Sequence, residues 1–339
     1  MKYFMNRKAI ALLSGGLDST LAVKLMIEQG IDVSAIHFTS AFCNCTPKKA
    51  GCRLQAGQIA EEFNIPIRVI HKGMDYIKMV ARPPHGYGSG MNPCIDCRIY
   101  MLKKVKELLP QMDASFVITG EVLGQRPMSQ HRNTLRLIER ESGLEGLILR
   151  PLSAQHFNPT LAEQEGIVDR QRLLAISGRS RKPQIDLAEQ FGIKDYPCPA
   201  GGCLLTDKEI AARLRDLFTH CPDYEMVDIH LLKVGRHFRL DPGLKIIVGR
   251  DGGENEKIKV FARPGTTLIE PFGFRGPTVY ARGITDKASE TVIGRIIARY
   301  SQDQRSEYPV RKRVIGDMES ALVIKERYPA KELDACRIS

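Results

Sequence analysis

A chain of 339 residues is long enough for two or three domains of ordinary size. Its 43% hydrophobic content fits a globular protein, and no apolar run approaches the roughly 18 to 20 residues of a membrane span. The formal charge of +11 is regional: residues 231–313 hold 17 Lys and Arg against 9 Asp and Glu, and the rest holds 33 against 30. A confined basic surplus suggests an electrostatic footprint for a polyanion, the plainer alternative being a well-solvated surface.

The opening stretch MKYFMNRKAIALL runs directly into a glycine loop and has no small-residue cleavage site. It reads as a core strand and not a signal peptide, so a cytoplasmic protein is expected. In such a compartment the nine cysteines point away from a disulfide framework, toward metal ligation, sulfur chemistry or buried thiols. In chain order the pattern predicts strand Lys8–Leu13, helix Ser19–Glu28, strand Val33–Phe38, helix Arg53–Phe63 and strand Ile67–Ile70. A basic amphipathic helix follows over Cys97–Leu109, then strands Phe116–Thr119 and Leu147–Leu149. Alternating strands and helices predict an α/β fold with a doubly wound, mostly parallel sheet over residues 1–152. Ligands of such sheets sit off the carboxyl ends of the strands. The glycine loop, the Cys43 group and Gly120-Glu121 would share that edge.

Residues 153–225 read as a helical extension: Thr160–Glu165, Arg170–Ser177, Gln184–Phe191 and Asp207–His220, punctuated at SGRSRKP and YPCPAGGC. Over 226–339 the short apolar runs LKIIVG, KIKVFA and TVYARG predict a small α+β domain, with a basic helix at Thr291–Arg299.

Between strand one and helix one stands Ser14-Gly15-Gly16-Leu17-Asp18-Ser19. It has the parts of a phosphate cradle but fits neither the dinucleotide nor the Walker A pattern. It resembles the SGGxDS loop of the PP-loop (N-type) ATP pyrophosphatases, whose fold is adenine nucleotide alpha hydrolase-like. The resemblance implies ATP cleavage at the α–β bond, with pyrophosphate held by Ser14, Gly15, Gly16 and Ser19. Asp18 would orient the loop or a Mg²⁺ ion. Phe38, at the end of strand two, joins the expected ATP-binding residues. Thr119-Gly120-Glu121-Val122-Leu123-Gly124-Gln125 resembles the TGExLGQ segment of 4-thiouridine synthetases, and Arg150-Pro151-Leu152 their later RPL. Gly120 and Gln125 would lie beside ATP. Arg150 would face phosphate or RNA, or be a solvated arginine.

Pro93-Cys94-Ile95-Asp96-Cys97 resembles the NPCxxC segment of tRNA thiouridine synthetases of the same superfamily. Thiolates at a helix N-terminus are stabilised by its dipole. With Cys203 in PAGGC, the resemblance implies a [4Fe–4S] cluster on Cys94, Cys97 and Cys203, with one iron open to sulfide. Persulfide chemistry on Cys97, resolved by Cys203, is the rival, and Cys198 could exchange roles with Cys203. Cys43, Cys45 and Cys52 form a second group: a metal site with His37 as a conceivable fourth ligand, a sulfur relay, or unpaired thiols. Asp18, Cys97 and Cys203 are thus the expected catalytic residues.

Val234–Leu240, with Ile246–Asp251 and Glu254-Asn255, resembles the RNA-binding domain of the NFACT ribosome quality-control proteins. Arg236, Arg239, Arg250, Lys257 and Arg263 would then contact phosphates. The expected activity is ATP-dependent thiolation of tRNA, taking sulfur from free sulfide or a cysteine desulfurase, with no membrane partner and a homodimer left open. The alternatives are sulfur transfer to a small molecule, or a non-catalytic RNA-binding protein with a degenerate nucleotide site.

Overall fold

The computed structural model describes residues 5–43, 52–193, 196, 203–283, 286–316 and 319–339. Cys45 and Cys198 lie outside the described residues, as does the side chain of Cys52. The chain divides into two units, Met1–Thr206 and Asp207–Ser339. Residues 153–206 therefore belong with the first unit, and 207–225 with the second.

In the first unit the elements run β1 (Lys8–Leu12), α1 (Leu17–Glu28), β2 (Asp32–Thr39), α2 (Cys52–Glu62), β3 (Ile67–His71), α3 (Met74–Ala81) and α4 (Cys94–Leu108). They continue with β4 (Phe116–Thr119), α5 (Arg132–Ser142), β5 (Ile148–Leu149), α6 (Leu161–Gln164) and α7 (Lys182–Gln190). The five strands are parallel in the order β3-β2-β1-β4-β5. Period-two alternation sends Ala9, Ala11 and Leu13 into one core with Leu17 and Leu21 of α1. Ile10 and Leu12 enter a second core on the opposite face, with Ile99, Leu102 and Val105 of α4 and Ile138 of α5. The sheet is doubly wound as the sequence predicts. The order of strand addition reverses at β1, which has β2 on one side and β4 on the other, so the loops after β1 and β4 flank the crevice where such folds bind ligands.

One expected helix is absent. Arg170–Arg172 makes a single turn of 3-10 helix, after which the chain extends and Ser177 bridges to Leu123. Backbone pairing to the loop after β4 has overridden the local helical pattern.

The second unit runs α8 (Lys208–His220), α9 (Met226–Leu231), β6 (Arg236–Asp241), β7 (Leu244–Val248), α10 (Gly252–Val260), β8 (Thr267–Pro271) and β9 (Val279–Arg282). It ends with α11 (Lys287–Tyr300), β10 (Tyr308–Val314), β11 (Glu319–Ile324) and α12 (Ala330–Ala335). Its six strands are antiparallel, ordered β11-β10-β8-β9-β7-β6. Ile293, Ile296 and Ile297 of α11 pack on one face, while Leu231 and Ile258 of α9 and α10 pack on the other. Most of the KIKVFA run, read as a strand-like segment, lies in helix α10. Asp251 starts that helix by accepting from the Glu254 amide at 2.9 Å. No described helix is long and apolar enough to cross a membrane.

Candidate active site

After β1, Gly15 takes φ +79°, a conformation that favours glycine, and Gly16 begins α1 with no side-chain cap. The serines organise the turn. Ser14 and Ser19 hydroxyls lie 3.0 Å apart, the Ser14 amide donates to Ser19 Oγ at 3.2 Å, and the Gly16 amide donates to Ser14 Oγ at 3.3 Å. Ser19 Oγ donates to the Gly16 carbonyl at 2.8 Å. The first turn of α1 has no side-chain cap, an arrangement that suits an anion at a helix terminus.

Gly120 opens the loop after β4 and packs directly on this turn. A Cβ there would stand 2.5 Å from both the Asp18 carbonyl carbon and the Ser19 nitrogen. Burial pushes the Asp18 carboxyl above its ordinary value, against the opposing influence of Gln125, Arg181, Arg126 and Gln184. Asp18 Oδ1 is buried without a hydrogen-bond partner. Phe38 is half-buried at the end of β2.

Glu121 and Arg150 do structural work. Glu121 is 1% exposed and accepts from Arg98 Nε at 2.8 Å and Arg150 Nε at 3.0 Å. Burial alone would raise its carboxyl, but the two guanidiniums outweigh burial and hold it at about 2. Arg150 is 3% exposed and also pairs with Glu139, so it does not face an external phosphate or RNA as expected. His37 donates through Nδ1 to the Leu13 carbonyl at 2.8 Å, which ties β2 to the glycine loop and supports the structural reading of that residue.

The thiols gather on the same edge of the sheet. Helix α4 starts at Cys94, three residues before the predicted position, so both cysteines of the CxxC pair stand in its first turn. Asn92 Nδ2 donates to Cys94 Sγ at 3.2 Å. Cys97 Sγ accepts from Lys72 Nζ and from the Tyr76 hydroxyl, each at 3.5 Å. Lys72 is only 7% exposed and lies over the Tyr76 ring, 4.3 Å from its centroid. Cys203 donates to the Phe42 carbonyl at 3.5 Å, and the Leu204 amide donates to that same oxygen at 3.0 Å. The Met91 amide donates to the Leu205 carbonyl at 2.8 Å. The Cys203 segment is thereby fastened both to the Cys43 loop and to the loop before Cys94.

Burial pushes the Cys203 thiol up to about 11, Lys72 opposing and the Cys97 and Cys43 sulfurs reinforcing. Burial and then the Cys97, Cys203 and Cys94 sulfurs hold the Tyr76 hydroxyl far above its ordinary range, so it remains a donor. Among the described residues no three His, Cys, Asp or Glu side chains converge on one metal ion. Cluster ligands bind different irons and need not converge on a point. Lys72 and Tyr76 have no motif in the sequence and become visible only when β3 and α3 are placed beside α4.

In the second unit, three of the five expected RNA-contacting residues are engaged by carboxylates. Arg239 makes two bonds of 2.9 Å to Asp216, Arg250 binds Glu254 at 2.9 Å, and Arg263 binds Glu225 at 2.6 Å and Asp228 at 3.0 Å. Arg236 lies over the Tyr300 ring at 4.7 Å. Lys257 is exposed on α10 and makes no ion pair among the described residues.

A parallel sheet thus carries the SGGLDS turn at its carboxyl edge, and an antiparallel α+β unit follows it in the chain. Sequence comparison agrees with both halves. Residues 4–159 match the family model of the thiamine biosynthesis protein (ThiI), and residues 235–333 match the NFACT protein RNA binding domain. A tRNA-specific 2-thiouridylase of Dehalococcoides mccartyi is 29% identical over 116 residues, covering 32% of each chain. A probable tRNA sulfurtransferase of Ureaplasma parvum is 30% identical over 154 residues, covering 44% of this chain and 37% of that one. The chain thus spans about a third of the length of these relatives. A solved U34-tRNA thiolase from Methanococcus maripaludis, with its [4Fe–4S] cluster, is 17% identical, covers 68% of this chain and 71% of its own, and has a TM-score of 0.34.

Proposed function

We propose that this chain is an ATP-dependent tRNA sulfurtransferase that replaces a carbonyl oxygen of a uridine or cytidine with sulfur. One juxtaposition supports the reading most: the Ser14–Ser19 turn and the thiol group of Cys43, Cys94, Cys97 and Cys203 occupy one edge of one sheet. The sulfurtransferase and thiouridylase names of the matched relatives, and the RNA-binding name of the second matched model, accord with it.

A carbonyl oxygen is a poor leaving group, and adenylation makes it a good one. The oxygen attacks the α-phosphorus of ATP, the α–β bond breaks, and pyrophosphate departs against the uncapped first turn of α1. A sulfur nucleophile then adds at the carbon, and AMP leaves with the carbon–oxygen electron pair. Loss of the sulfur-borne proton gives the thiocarbonyl. The unpartnered Asp18 Oδ1 suits a Mg²⁺ ion beside the phosphates. Gly120 keeps the turn close-packed, while Phe38 and Gln125 flank the nucleotide.

The donor set of Cys94, Cys97 and Cys203 suits a [4Fe–4S] cluster, being all sulfur with no carboxylate among its members. Such a cluster would be held by the three thiolates and would supply an iron without a protein ligand as a site for sulfide. Sulfur arriving as a cysteine desulfurase persulfide would first need two-electron reduction by a thiol. Lys72 and Tyr76 orient Cys97 toward the same space. The basic second unit would hold tRNA by its phosphates in the cytoplasm.

Mass spectrometry of tRNA nucleosides from a deletion strain tests the reading. One thionucleoside should vanish and return with the wild-type gene but not with Asp18→Ala. An unchanged set of thionucleosides overturns tRNA as the substrate and favours a small molecule. Anaerobic iron and sulfide assays on wild type and on Cys94→Ala, Cys97→Ala and Cys203→Ala test the cluster. Colourless, iron-free protein would replace it with a persulfide on Cys97.

A further inference from the structure

The segment 177–184 reads SGRSRKPQ and carries three cations, yet the motifs above leave it without a role. The fold brings it to the nucleotide turn. Ser177 bridges Leu123, and the Gly178 amide donates to the Leu123 carbonyl at 2.7 Å, which joins this segment to the loop after β4. Helix α7, which begins at Lys182, then packs along α1.

The contact leaves polar groups unsatisfied. Gln184 is 0% exposed, and both its amide oxygen and its amide nitrogen lack a hydrogen-bond partner. It stands beside the Asp18 carboxylate, whose Oδ1 is equally unpartnered. Gln184 and Gln125 both lower the proton affinity of the Asp18 carboxylate, so the three groups face one another at the turn. The atoms without a hydrogen-bond partner leave donor and acceptor capacity there for a polar ligand. Arg181 and Arg126 are near enough to Asp18 to act on its charge. Neither guanidinium makes an ion pair among the described residues, although Arg98, Arg150 and Arg170 of the same unit all do.

We propose that Arg181 and Arg126 form a two-armed clamp on the β- and γ-phosphates of ATP, closing over the Ser14–Ser19 turn. The inference rests on the ATP-dependent reading above and assigns two further residues to its site. Guanidinium groups suit the task because they present several donors to phosphate oxygens and stay charged at any working pH. The turn's own side chains supply only hydroxyls and one carboxylate, so its positive counter-charge must come from a cation in solution or from elsewhere in the chain. The extension after β5 supplies Arg181 and the loop after β4 supplies Arg126. Pyrophosphate would be gripped by both as it separates from AMP, while the adenosine end is held by other groups.

Calorimetric titration of the full chain with inorganic pyrophosphate, ATP and AMP, each with Mg²⁺, tests the clamp. Arg181→Ala should weaken pyrophosphate and ATP by about ten- to a hundredfold, as loss of a charged hydrogen bond does, and leave AMP unchanged. Arg126→Ala should act in the same direction, and Arg181→Lys should recover much of the loss. A merely structural Arg181 would lower all three affinities together. Wild-type pyrophosphate affinity in both alanine variants overturns the clamp while leaving the ATP site intact. Wild-type protein that takes up neither pyrophosphate nor ATP overturns both. Failure of the thiolation reading is seen separately, in unchanged tRNA thionucleosides from a deletion strain.

Discussion

The carboxyl edge of the first sheet and the basic stretch of the second unit use charge in opposite ways. On the first, Asp18 Oδ1 and the whole Gln184 amide are buried without partners, and Arg126 and Arg181 carry no ion pair among the described residues. In the second, Arg239, Arg250 and Arg263 each close on a carboxylate, and Asp216 is shared between Arg239 and Lys245 at 2.9 and 2.8 Å. The stretch 231–313, which carries the regional positive surplus, has much of that charge committed to its own packing. Net charge therefore measures the long-range field that draws a polyanion in. Unpaired buried atoms occur in both units, Arg213 Nε and His237 Nδ1 among them, and at Asp18 and Gln184 they coincide with a glycine turn at a sheet edge.

The comparison has an internal control, since the first unit also contains a committed cluster. Glu121 between Arg98 and Arg150 is paired as completely as anything in the second unit, so it should govern stability and not ligand affinity. Glu121→Gln leaves two guanidiniums poorly compensated in a buried place and should cost about 3 to 5 kcal/mol of stability. The pH dependence follows from the depressed carboxyl. Its stabilisation is fully present above the ordinary carboxylate range near 4.5 and is lost as pH falls toward about 2. Thermal melts from pH 7 to pH 3 should show the variant losing less with acid than wild type. Parallel curves would mean that the cluster does not govern acid stability.

Gly120→Ala probes the uncommitted edge. The added methyl would meet the Asp18 and Ser19 backbone at 2.5 Å, and rigid backbone on both sides leaves displacement of the turn as the relief. A shift of the phosphate turn by a fraction of an ångström to an ångström should lower ATP-to-AMP turnover by about a hundredfold. Pyrophosphate release measured beside a thermal melt separates this from unfolding. A folded variant with wild-type turnover would show that the close approach has no catalytic consequence.

The turn itself was legible in the sequence because three signals coincide there: an apolar strand, the SGGLDS order and a helical period. Strand alternation likewise exposed the two faces of the sheet through Ala9, Ile10, Ala11 and Leu12. The CxxC pair could be located because the chemistry lies within four consecutive residues. Lys72, Tyr76, Arg181 and Gln184 were not legible, since each reaches the site by packing between elements distant in sequence. The same cause explains the errors. Arg150 shows its charge in the sequence but not Glu121 or Glu139, and 170–177 has a helical pattern that the bridge from Ser177 to Leu123 overrides. The KIKVFA run has strand-like apolar spacing, yet the Asp251 cap nucleates a helix ahead of it.

The smallest expected effects fall in the second unit, and they test the comparison most directly. Lys257 is exposed and without an ion pair among the described residues, whereas Arg239 is held in a bidentate grip by Asp216. A cation that meets RNA phosphate releases counterions, so its removal flattens the plot of log affinity against log salt by about 0.7 for single strands and 0.9 for a duplex. Lys257→Ala should produce a flattening of that size with no change in melting temperature. Arg239→Ala should leave the salt slope within error and RNA affinity within about threefold, because its charge is already neutralised locally. It should instead cost about 1 to 2 kcal/mol of stability, discounted for its partial exposure, since Lys245 still pairs with Asp216. Filter binding of tRNA over a range of salt, beside melts of both variants, supplies every quantity. Equal flattening by the two variants would mean that Arg239 exchanges Asp216 for phosphate when RNA arrives. The ion pairs of the second unit would then be a reserve of cations awaiting the ligand, and the contrast between the two regions would describe only the free protein.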